Sequence, residues 1–346
     1  MSKGSVAVNR ARLMFAMTLS CSVLFGCAGT PPGDRSDAAA PPPRRHQAVA
    51  GDTLPSYESV ANLRGVITSI GASTTTNLVA RASTQFRRIY PDVRLHVSAG
   101  LTSIGPPALL EGRADIVPMS RPLTPEEIRA FRAKYGYPPT EIKVAADALA
   151  IYVEKRNPVP GLTLTQLDGI FSGAPGRGDP SIETWGQAGL TGEWADRHIN
   201  LYGYGPEDGV NQVFRQQVLD GGEYRLAMLV EPAGSSIVQG VAADPSGIGC
   251  ASIFFLSRRV RAVPLARTDG PFYDPTPENV HAHAYPLIRY LCICVNKPPN
   301  RPLRGPAVEF LRFLLSREGQ QIIAAEGNIP LNAKSVQEGH EALDGS

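Results

Sequence analysis

The sequence predicts an α/β protein in which strands and helices alternate along the chain. Three observations predict it. From residue 63 onward, short β-like runs are followed repeatedly by segments of helical period, the pattern of mixed α/β layers. The 346 residues exceed one average domain and, at ~150 residues per domain, point to roughly two. A hydrophobic content of 42% against 19% charged residues leaves enough apolar surface for a sizeable core.

Residues 1–27 read as an address rather than as structure. Lys3, Arg10 and Arg12 make a basic start, and residues 13–25 form an apolar run too short for a membrane span, which needs ~20 residues. The run ends in Leu24-Phe25-Gly26-Cys27, which resembles the lipobox of bacterial lipoproteins. That resemblance implies a lipid on Cys27 and a periplasmic, membrane-anchored protein; simple secretion is the alternative. Residues 28–55 follow as a tether. Rich in Pro, Ala, Gly and Arg, they carry too little apolar surface to offset the entropy of ordering.

The organising stretch is Gly71-Ala72-Ser73-Thr74-Thr75-Thr76-Asn77, between a β-like run over 63–70 and a helical pattern ending near Tyr90. It reads as a strand-to-helix turn whose glycine permits close approach, whose hydroxyls cap the helix, and whose unpaired N–H groups favour an anion. Residues 92–97 alternate as a strand and lead into Thr102, Ser103 and a second helix. Residues 114–119 form a short strand closed by Ser120, Arg121 and Pro122. Thr124-Pro125-Glu126-Glu127 is a strong helix start. Three successive strand ends thus deliver small hydroxyl residues, and in open α/β sheets ligands bind outside the carboxyl ends of strands.

Further on, the apolar run 142–153 reads as a buried strand crossing between lobes, and 163–171 as a capped helix. A strand over 199–203 precedes Tyr204-Gly205-Pro206-Glu207-Asp208-Gly209-Val210 and a helix over 211–219. Ser235 and Ser236 are expected to cap a helix through Ala243, followed by strands over 247–256 and 290–295. Residues 307–325 are expected as one long amphipathic helix.

Composition excludes several functions. A net charge of +2 carries no electrostatic footprint for nucleic acid. Cys292 and Cys294 stand two apart in a strand-like run and cannot easily bridge each other; Cys250 either pairs with one of them or all three are buried free thiols. The six histidines are scattered, and there is no Walker loop and no metal-spaced cysteine pair. A binding protein without metal or cofactor, rather than an enzyme, is expected.

Residues 64–331 then resemble the periplasmic phosphate-binding proteins that feed phosphate ABC transporters. The matching pieces include Gly71-Ala72-Ser73-Thr74, Glu111-Gly112-Arg113-Ala114-Asp115-Ile116, Ser120-Arg121-Pro122-Leu123, Gly247-Ile248-Gly249 and Val295-Asn296-Lys297-Pro298. The resemblance implies two α/β lobes (60–145 with 255–346, and 146–254) joined by crossover strands, with the ligand in the cleft between them. It implies a monomer that captures phosphate or a related small oxyanion for an ABC permease. Ser73, Thr74, Thr102 and Ser120 fit the pattern, with Ser103 as a further donor, Arg121 as the nearby cation, and Asp208 and Gly209 facing them from the second lobe. The chain departs from the pattern at Tyr204, where an arginine is expected, at Asp208, where a serine is, and at Val210, where a threonine is. A buried carboxylate at Asp208 would repel a dianion unless it accepts the ligand's own proton. The alternative is the same fold with an altered or lost ligand, acting as a sensor or scaffold.

Overall fold

The computed structural model describes residues 54–178 and 180–344, all of them within the unit Pro43–Ser346. The signal segment with Cys27 and the tether up to residue 53 lie outside the described residues. In chain order the elements are β1 (Gly65–Ala72), α1 (Ser73–Ile89), β2 (Val93–Gly100), α2 (Gly105–Glu111), β3 (Val117–Met119), α3 (Pro125–Tyr135) and β4 (Thr140–Glu154). Then come β5 (Leu162–Thr163), α4 (Leu164–Phe171), β6 (Asn200–Tyr204), α5 (Gly209–Gln217), β7 (Leu229–Glu231), α6 (Gly234–Ala243) and β8 (Gly247–Ser252). The chain closes with β9 (Val260–Ala262), β10 (Leu265–Ala266), α7 (Pro277–His281), β11 (Ile288–Val295), α8 (Pro306–Leu315), α9 (Arg317–Ala325) and α10 (Ala333–Asp344).

The 15-residue β4 is the spine of the molecule. It belongs to a curled mixed sheet of order β3-β11-β4-β8-β6-β7, with β9 also on β4. Its first part, 140–148, pairs antiparallel with β11, and its second part, 149–153, with β8. From Val144 to Glu154 every residue is buried, as befits a strand covered on both faces. The parallel pair β1 and β2 extends the first part through a bridge from Ser69 to Ile116.

The core divides along this strand. Ala145 and earlier residues of β4 belong to a cluster with Phe86, Phe310, Phe313 and Leu314, whereas Ala146 onward belongs to one with Trp185, Phe214, Tyr152 and Tyr285. A smaller cluster under α2 and α3 holds Phe131, Cys292 and Cys294. Cys250, Cys292 and Cys294 are all free and buried, which settles the disulfide alternative in favour of thiols.

Two expectations change. Val260, Val263, Leu265, Val280 and Leu287 pack with Trp185 and Tyr152, so the chain stays in the second core well past residue 254. The long helix over 307–325 is two helices, α8 and α9, broken at Ser316. Ser316 is extended (φ −78°, ψ 171°), donates its hydroxyl to Phe313 O at 2.7 Å and accepts the Gly319 N–H at 3.3 Å. A Cβ at Gly319 would overlap the Phe313 carbonyl, so the tight reversal depends on that glycine. Apolar periodicity continues across the break because both helices face the same core.

The start of the described chain is pinned to the first core. Leu54 is buried, Arg317 donates its backbone N–H to Pro55 O at 2.9 Å, and the Tyr57 hydroxyl donates to Glu309 at 2.9 Å.

Candidate anion-binding cleft

A cleft of about 530 Å³ lies where the two cores face each other. Its lining includes Ser73, Thr74, Thr102 and Ser120 from one side, Tyr204, Asp208, Gly209 and Gly234 from the other, and Arg289 of β11.

The α1 junction is built differently from its sequence reading. The helix begins at Ser73, so Ala72 is the N-cap and no side chain caps the helix. The Ser73 hydroxyl instead donates to Gly100 O at 2.9 Å, tying the turn to the end of β2. Gly71 is demanded by packing, because a Cβ there would overlap Pro118 O. The first N–H groups of α1 are therefore left to whatever enters the cleft.

The same holds for α6. Its N-cap is Ala233, which lines the cleft and supplies no capping side chain; Ser235 and Ser236 lie inside the first turn rather than before it. Four helices outside the cleft carry side-chain caps, while α2 and α8, like α1 and α6, have none. Thr124, Thr163, Thr276 and Ser316 cap α3, α4, α7 and α9 with their own hydroxyls. Two positive helix ends without side-chain caps thus converge on one space.

Thr102 and Ser120 are buried and share a hydrogen bond of 2.7 Å between their hydroxyls. Gly209, the first residue of α5, comes down on this pair: a Cβ there would overlap Ser120 Oγ and stand 3.2 Å from Thr102 Oγ1. Asp208 caps α5, accepting the Val210 N–H at 2.6 Å. Burial pushes its carboxyl above the ordinary value, while that N–H and Arg289 pull the other way.

Arg289 is the cation of the site. It is 4% exposed, donates Nε to Asp147 Oδ2 at 2.8 Å and Nη1 to Ser120 O at 3.1 Å. Its Nη2 has no hydrogen-bond partner among the described residues, and the residue lines the cleft. Asp147 in turn accepts the Ser252 hydroxyl at 2.6 Å. The sequence signal for Arg289 was a lone charge inside an otherwise apolar strand, between Ile288 and Tyr290.

Arg121 is not that cation. Its guanidinium makes a fork to Glu127, with both N–O distances 2.8 Å, and it does not line the cleft. Burial alone would raise the Glu127 carboxyl, but Arg121 and the Thr124 N–H more than offset it and hold it low. Ser103 is exposed and likewise stands outside the lining. Val210 turns into the second core. Tyr204 lines the cleft with a hydroxyl that has no hydrogen-bond partner among the described residues; burial pushes its phenol far above the ordinary range, so it stays a neutral donor.

No group of three or more His, Cys, Asp or Glu side chains that could hold a metal is found among the described residues. Nor is any described helix long and apolar enough to cross a membrane.

Known proteins share this sequence pattern and this architecture. A PBP superfamily domain (PBP-like) matches residues 40–318. The phosphate-binding protein PstS of Pseudomonas aeruginosa is 38% identical over 298 residues, covering 86% of this chain and 92% of the relative. The chain belongs to the PstS family. Among solved structures, a phosphate ABC transporter substrate-binding protein with bound phosphate from Clostridium perfringens is similar at a TM-score of 0.63 and 25% identity, covering 78% of this chain and 100% of that one. An ABC-type phosphate transport receptor from Vibrio cholerae is similar at a TM-score of 0.63 and 25% identity, covering 77% of this chain and all of the other. The α/β fold with two lobes and a cleft between them is therefore the fold of the PstS family.

Proposed function

We propose that the chain is an extracytoplasmic solute-binding protein that captures phosphate in this cleft, by closure of its lobes, and hands it to an ABC permease. The observation that carries this reading is the convergence on one space of two helix N-termini without side-chain caps, the Thr102–Ser120 hydroxyl pair and the free Nη2 of Arg289. All are donors, and all suit a compact oxyanion in a site sheltered from water. The backbone N–H groups of Gly209 and Ser73 and the hydroxyl of Thr74 complete the donor set, and Asp208 accepts the proton of a hydrogen phosphate.

The relatives are named as binding and transport proteins, which supports capture rather than catalysis. The lobes divide at Ala145 and Ala146 on β4, with β4 and β11 as crossover strands. Cys27 carries the lipid that holds this monomer at the membrane, and the tether feeds into the anchorage at Leu54. Titration calorimetry with phosphate tests the reading. Saturable binding that is lost on Arg289→Met supports it, and absence of phosphate binding by the folded protein sinks it.

A further inference from the structure

We propose that the cleft also accepts a phosphoryl group bearing one organic substituent, as in a phosphonate or phosphate monoester with a small apolar or aromatic arm. This rests on the oxyanion reading above and extends it to a ligand class.

The lining is segregated. Donors gather where Gly209 meets Ser120 and Thr102, beneath Arg289. A second group is apolar: Pro232, Phe254 and Phe255 from the second lobe, with Leu78 and Leu101 from the first. Gly234 lets the Phe255 ring and Tyr204 Oη pack directly against the start of α6, since a Cβ there would overlap both. The rings of Phe254 and Phe255 pack edge to face at 4.9 Å. Phe254 is 51% exposed although it is a large aromatic, and its ring lies so close to Gly327 that a Cβ on that glycine would stand 2.8 Å away.

A bare tetraoxyanion presents four oxygens that each need donors, and Val210, turned into the core, offers none from the second lobe. A substituent on phosphorus replaces one hungry vertex by a group that prefers apolar surroundings. The aromatic wall is where that group would rest.

The test is titration of the full-length chain with inorganic phosphate and with phenylphosphonate, each alone and in competition. We expect phenylphosphonate to bind and to displace phosphate. We expect Phe254→Ala to weaken phenylphosphonate about tenfold more than it weakens phosphate, because the phenyl arm then loses the exposed one of the two rings it packs against. A melting curve verifies that the variant is folded, and Leu101→Ala gives the same comparison from the first lobe. Phosphate binding that phenylphosphonate never displaces overturns this inference and leaves the phosphate reading intact. Equal weakening of both ligands by each variant overturns the apolar wall as the basis of selection. Binding of neither ligand overturns both readings.

Discussion

Arg289 and Asp147 are direct cross-strand partners on β11 and β4, and their side chains form an ion pair of 2.8 Å with 4% and 1% of each residue exposed. The pair sits on the strands that run through both lobes. Ser252 holds Asp147 from the second lobe, and Arg289 holds Ser120 O in the first. Removing one partner leaves a buried charge uncompensated, at a cost of about 3–5 kcal/mol. Asp147→Ala is expected to lose that much stability in urea unfolding. Arg289→Met combined with Asp147→Leu should recover most of it, yet leave no anion binding by calorimetry. Recovery of both stability and binding would show that the pair is structural only.

The Thr102 and Ser120 hydroxyls bond each other as well as facing the cleft. Thr102→Val and Ser120→Ala should each weaken phosphate binding by about 1–3 kcal/mol. Because the two share a partner, the double variant should lose less than the sum of the single losses. Strict additivity in titration would show that the hydroxyls act independently.

Gly209 approaches Ser120 too closely for any side chain. Gly209→Ala is expected to cost about 1–3 kcal/mol of binding by overpacking where the lobes meet. Since the clash lies between lobes and not within a core, the melting temperature should move much less than the affinity. A large fall in melting temperature with unchanged affinity would refute this.

Asp208 is raised by burial, so the folded state holds its proton more tightly than the unfolded chain does. Its contribution to stability is therefore greatest below the ordinary carboxylate range and declines as pH rises through the raised value. Asp208→Asn keeps the α5 cap and removes the titration. The variant should be the more stable at pH 7, with the difference vanishing as pH falls to the ordinary carboxylate range. In the cleft, sulfate has no proton for Asp208 to accept at neutral pH, so the native protein should prefer phosphate, and Asp208→Asn should erode that preference. An unchanged phosphate-to-sulfate ratio would place Asp208 away from the ligand.

Cys27 gives a prediction that needs no structure. Labelled palmitate should enter the native chain and not Cys27→Ser, and the variant should leave the membrane fraction. Equal labelling of the two would favour simple secretion.

Some of this protein is written locally. The alternation of β and α segments, the caps at Thr124 and Thr163, and hydroxyls at three strand ends all follow from periodicity and from hydrogen bonds that span a few residues. Those features were legible because their partners lie within one turn of the chain. The cleft's chemistry was settled over longer distances. Arg289 became the site cation through Asp147, 142 residues away, and Ser120, 169 residues away, whereas Arg121 was withdrawn by Glu127, only six residues on. Which of two arginines lines the cleft depends on where carboxylates lie in space, and residue type alone does not encode that. The break at Ser316 and the long stay of residues 260–287 in the second core have the same cause: apolar periodicity tells that a face is buried, and only packing decides against what.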